Sequence, residues 1–131
     1  MNRLVPGLAL LAIMSLPALP LSAHHGVAVY DVSQTVSKSG LVSRFQFINP
    51  HVLISITVSD ADGKRTEWTG ELTSPNRLAR TGSADVQWHR NLLKLGDEII
   101  LTGNPARNGA PAIRLAAVQR ADGTMLVGGG R

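Results

Sequence analysis

The 131-residue chain contains no cysteine. That absence excludes disulfides, thiolate metal sites, iron–sulfur clusters, cysteine-attached haem and a lipid anchor on a mature cysteine. Stability must then come from packing and hydrogen bonds. Aromatic residues are equally sparse, with two tryptophans, two phenylalanines and one tyrosine. The chain also lacks a Gly-x-Ser-x-Gly elbow, a phosphate-cradling glycine loop and a His-Glu-x-x-His pair, which removes the commonest signatures of hydrolases, nucleotide enzymes and zinc proteases.

The long uncharged run is confined to one end. Arg3 is followed by LVPGLALLAIMSLPALPL, broken by Pro6, Gly7, Pro17 and Pro20 and closed by Ser22 and Ala23. A basic start, an apolar stretch and small closing residues predict a secretory signal peptide over residues 1–23, cut near Ala23, and a periplasmic or secreted protein that does not span the membrane after cleavage. Taking those 23 residues from 131 leaves 108, enough for one modest core. Without Arg3 the basic residues number 12 against 9 acidic ones, a net of +3 with neutral histidines. So mild a balance does not argue for nucleic acid as a partner.

From residue 36 onward, short apolar stretches of period two are separated by turn signals, the pattern of an all-β domain. The first strand is expected to bury Phe45 and Phe47, with Leu41 and Ser43 on the same face, and to expose Arg44 and Gln46. After Asn49-Pro50, the strand HVLISITVS turns Val52, Ile54, Ile56 and Val58 inward and His51, Leu53, Ser55 and Thr57 outward. Ala61-Asp62-Gly63 suits a three-residue hairpin loop. TEWTGEL follows as a third strand. Ser74-Pro75 opens a short helix, PNRLAR, through an N-cap and a proline at the first helical position. LGDEIILTG, AIRLAAVQ and a short TMLV complete the strands, with Asn108-Gly109 and Asp122-Gly123 as turns. Three strands, a helix and further strands predict a small OB-fold-like barrel of five to six strands over 36–127, with a sandwich or meander as rivals. Residues 24–35 form an N-terminal mature segment and 128–131 a frayed tail.

Taken together, HHGVAVYD, GLVSRFQFINPH, the DGKRTEW-GEL hairpin, SPNRLARTG, LKLGDEIILTGNPARNGAP and ADGTML resemble a family of small exported bacterial proteins grouped as a domain of unknown function. Its members typically begin with His-His-Ser and carry an Asn-Pro-His motif. The resemblance runs from His24 to about Leu126. This chain departs from it at Gly26, where the family has serine, and at Ser83, where tryptophan is common. The resemblance implies no enzymatic activity, and none is expected from the residues.

The chemistry that remains lies in histidine. Cleavage after Ala23 would make His24 the first residue, and its α-amine and ring nitrogen can clasp one metal ion in a chelate ring. Planar nitrogen donors favour copper(II), by geometry and by the Irving–Williams order. The metal-ligand candidates are therefore His24, His25 and His51, with Glu71 assisting. The plain alternative is a frayed polar start.

A three-residue loop sets Leu53 opposite Glu71, and His51 then lies one diagonal step away, roughly 7–8 Å between backbones. From there the carboxylate can ligate a metal or orient the imidazole, or form an ordinary cross-strand pair. Tyr30 and Asp31 are candidates to anchor the segment before the first strand, with ordinary packing and turn capping as the favoured reading. His89 reads as a loop histidine. Asp60, Asp62 and Gly63 form only a fragment of a calcium loop. The outward face of the second and third strands carries no aromatic residue, unlike a nucleic-acid-binding barrel. Three functions stay open: a periplasmic copper-binding barrel, an envelope module that binds a protein, peptide or glycan, and an oxidative copper enzyme, for which two tryptophans and one tyrosine are thin support.

Overall fold

A computed structural model describes residues 27–81 and 86–128. Among them are six strands and one α-helix: β1 (Val36–Gln46), β2 (Leu53–Ser59), β3 (Arg65–Glu71), α1 (Pro75–Thr81), β4 (Glu98–Pro105), β5 (Ala112–Arg120) and β6 (Met125–Val127). Hydrogen bonding runs β3-β2-β1-β4-β5-β6, and β3 also pairs with β5. That last pairing closes a five-stranded barrel and leaves β6 as an added strand on β5. The expected all-β, OB-like barrel with a short helix after the third strand is therefore the fold. No helix among the described residues is long and apolar enough to cross a membrane.

Closure depends on β1, which serves two neighbours in turn. Val36 to Leu41 pair with β4, and Leu41 to Gln46 pair with β2. Gly40 sits at the changeover, where a Cβ would meet the backbone carbonyl of Thr57. Glycine allows that approach because it has no Cβ.

Just beyond, the register shifts between Val42 and Arg44, so Ser43 is a bulged residue. A bulge reverses the inside–outside parity of everything after it. This corrects the expected face of β1: Val42 is buried and Leu41 is half exposed, although Phe45 and Phe47 do pack on the core as expected. Simple alternation fails here because one extra residue was invisible to it.

The β2–β3 hairpin keeps the anticipated register, with Leu53 opposite Glu71 and Ser59 opposite Arg65. Gly63 has φ of +81° in the turn, the left-handed region that glycine occupies readily. Asp62 serves this turn by accepting the Lys64 amide at 3.3 Å.

Ser74 caps α1 through its side chain and its carbonyl, both facing the Arg77 amide. Seven residues are too few for a stable isolated helix. Burial of Leu78, only 2% exposed, contributes about 2 kcal/mol and holds α1 against the barrel.

The core is the inward set of the strands: Val52, Ile54, Ile56, Ile99, Leu101, Ile113 and Val118, with Leu126 from β6. Trp88 joins it from the long α1–β4 connection. Its ring lies 6.4 Å from that of Phe45, and its Nε1 donates to the Leu126 carbonyl at 3.1 Å.

Candidate functional site

His51 stands just before β2, after a cis Asn49–Pro50 bond. Its neighbour Val52 extends the β2–β3 ladder by one rung, accepting from the Leu72 amide at 2.8 Å and donating to the Thr73 carbonyl at 3.2 Å. That rung fixes the backbone on which the imidazole is mounted. The diagonal closeness inferred from register is realised as contact, with His51 Nδ1 lying 2.9 Å from Glu71 Oε1. The same nitrogen lies 3.2 Å from the Leu72 carbonyl. Both neighbours of Nδ1 are acceptors, so Nδ1 carries the proton. Nε2 of the neutral ring is then the nitrogen with a free lone pair. The His51 side chain is 42% exposed, so solvent species can approach it.

Glu71 accepts through both oxygens. While Oε1 faces His51, Oε2 accepts from the Tyr30 hydroxyl at 2.8 Å. The expectation for Tyr30 was packing alone, and this bond exceeds it. Burial pushes the Tyr30 phenol up to about 12 from its usual 10.0, and the hydrogen bond and negative charge of Glu71 add to the rise. Arg114 opposes it from across the barrel closure, where the parallel β3–β5 register sets Arg114 beside Glu71.

The segment carrying Tyr30 is tied down over several residues. Tyr30 forms a bridge with Ala106, the Asp31 amide donates to the Pro105 carbonyl, and the Arg107 amide donates to the Val29 carbonyl. Asp31 accepts from the amide and hydroxyl of Ser33 and from the side chain of Gln34. These bonds hold its carboxyl below the usual range, the Ser33 hydroxyl being the largest influence. Asp31 thus caps its turn as expected, and Tyr30 goes beyond ordinary packing by tying the segment to Glu71 beside His51.

His24 and His25 lie outside the described residues. Among the described residues no group of three or more His, Asp or Glu side chains is clustered to hold a metal. His89 is exposed on the connection before β4, where its Nδ1 accepts the Asn91 amide. It lies with Trp88 and Phe47 along a separate open depression.

Below His51 and Glu71 opens a groove of about 310 Å³ between β3, α1 and β5, whose lining includes Arg77 and Arg114. In the sequence Arg77 and Arg114 stand 37 positions apart among other scattered basic residues, the pattern of a solvated surface. Their convergence depends on the β3–β5 pairing and on where α1 packs, and no local pattern signals either.

The chain is thus a small closed barrel with a tyrosine–carboxylate–histidine corner at the end of its β2–β3 hairpin. It belongs to a family of unknown function (DUF6152), whose sequence model matches residues 11–113. No curated protein and no solved structure matches it.

Proposed function

We propose that this protein is an exported, non-enzymatic barrel that binds a transition metal, copper(II) foremost, through His51 and the N-terminal histidines His24 and His25. The observation that carries the reading is the Tyr30–Glu71–His51 chain of contacts. It fixes the imidazole through Nδ1 and leaves Nε2 as the donor. A carboxylate behind a histidine is the usual support of a metal-binding imidazole, orienting the ring and raising its basicity. Since both Glu71 oxygens are engaged, its part is to orient the ring rather than to ligate.

Reach supports the same reading. Tyr30 is six positions from His24; Val27–Val29 form a 3-10 turn that rises only about 2.0 Å per residue, and three further residues at roughly 3.3 Å each bring the reach to about 16 Å. Once the signal segment is cut after Ala23, the α-amine and ring of His24 add two nitrogens to that of His51. Such a donor set suits copper(II) better than manganese or zinc. The α-amine has an ordinary pKa of about 7.7–8.0, so a metal displaces its proton readily near neutral pH.

The test is a calorimetric copper(II) titration of protein exported and cleaved by its host, with intact mass establishing His24 as the first residue. One-to-one binding that weakens in His51→Ala and weakens about 10–100-fold in Glu71→Gln is expected. Binding indifferent to His51 would refute the site and leave an envelope interaction module as the better reading. A tag ahead of His24 must be avoided, because it would block the amine.

A further inference from the structure

The groove beneath His51 carries chemistry that metal binding does not use. Its volume of about 310 Å³ lies at the small end of the roughly 300–1,000 Å³ of small-molecule sites. Two guanidiniums line it from separate elements, Arg77 on α1 and Arg114 on β5. Among the described residues Arg107 pairs with Asp31 and Arg120 with Asp97, while Arg77 and Arg114 have no carboxylate partner. Unpaired arginines are ordinary on a surface. Here, however, two of them line one concave groove together with Leu78, Leu115 and Val127.

Charge narrows the ligand. Glu71 also lines the groove, with its oxygens turned to His51 and Tyr30. Among the described lining residues, two guanidiniums against one carboxylate leave a single unit of positive charge. A monoanion balances that unit, whereas a phosphoryl dianion overshoots it. The planar fork of arginine matches the two oxygens of a carboxylate, and the paired donors form charge-assisted hydrogen bonds. Leu78, Leu115 and Val127 make part of the lining apolar and give a hydrocarbon body a surface to lie on, and the modest volume keeps that body short.

We propose that this groove binds a small monocarboxylate with a short apolar chain, the carboxylate held by Arg77 and Arg114 and the chain lying on Leu78, Leu115 and Val127. His51 and Glu71 of the proposed copper site also line the groove; the two proposals are distinguished by the arginines, neither of which is a metal ligand.

Metal-free mature protein, kept so with a chelator, would be titrated with hexanoate at low ionic strength, following heat and amide NMR shifts. Saturable one-to-one binding is expected. It should weaken about tenfold or more in Arg77→Gln and in Arg114→Gln, while Arg44→Gln, remote from the groove, leaves it unchanged. Acetate, which keeps the head and lacks the chain, and hexan-1-ol, which keeps the chain and lacks the charge, should each bind at least tenfold more weakly. Both arginines are exposed, so the variants should fold, and equal melting temperatures would establish that they do. Absence of saturation, binding unchanged in both variants, hexan-1-ol matching hexanoate, or inorganic phosphate binding more tightly would each overturn the proposal. Because the protein is metal-free, none of these results bears on the copper titration.

Discussion

Tyr30→Phe removes one oxygen and keeps the ring, so it isolates the hydrogen bond that joins the N-terminal segment to the barrel. The bond is 2.8 Å long and ends on a carboxylate. Hydrogen bonds to charged groups contribute about 1.5–3 kcal/mol. Tyr30 is only half-buried, and water can take the vacated place on Glu71, so the lower end applies. We expect a loss of about 1–1.5 kcal/mol, which lowers Tm by about 5–10 °C in a domain of this size.

A cycle with Glu71→Gln should give a coupling of at least about 0.5 kcal/mol. Alkaline titration supplies an independent check, since the chain has one tyrosine and absorbance near 295 nm therefore reads one group. Its midpoint should lie near 12 rather than 10.0. The folded value exceeds the unfolded one, so the stabilisation is complete below pH 10.0 and is lost as pH rises from there through about 12. Tyr30→Phe should show a shallower decline in that window. A Tyr30→Phe variant within about 0.3 kcal/mol of the parent and additive with Glu71→Gln, or a parent phenol titrating at its ordinary 10.0, would refute the reasoning.

At the other end of the barrel, Asp97 accepts the Lys94 amide at 3.0 Å and pairs with Arg120 at 3.2 Å. The Lys94 bond, with Arg120 after it, holds the carboxyl below its ordinary range. Its contribution is present above the unfolded value and lost as pH falls through the depressed folded one. Denaturation between pH 5 and 2 should show a shallower acid decline in Asp97→Asn. Gly40→Ala should cost about 2–3 kcal/mol by urea unfolding, because the added Cβ meets the Thr57 carbonyl rather than a side chain that can move. Trp88→Phe keeps an aromatic ring but leaves the Leu126 carbonyl without its donor. A loss of about 1–3 kcal/mol is expected, against about 3–5 for Trp88→Ala.

Much of the barrel was legible because its signals are local. Period-two alternation marked β2 and β3. A three-residue turn set their register, and Ser74-Pro75 announced α1. Register arithmetic even brought His51 beside Glu71, since parity and turn length are the only quantities that contact requires. The face of β1 before the bulge was not legible. Ser43 has no side-chain feature that distinguishes a bulged residue from a paired one, and its placement follows from β1 changing partners.

The candidate site divides in the same way. Composition and order alone determined an all-β chain without disulfides, a hairpin of defined register and a histidine one diagonal step from a glutamate across it. Tertiary structure decided the rest. Tyr30 reaches Glu71 because residues 29–31 dock on the chain around Pro105–Arg107, a pairing across more than seventy positions that carries no mark in either segment. Arg77 and Arg114 meet on one groove because β5 turns back parallel to β3 and closes the barrel. Closure pairs elements distant in the chain, and the free energy that selects their register comes from burying a shared core, a property of the whole domain that no window of sequence contains.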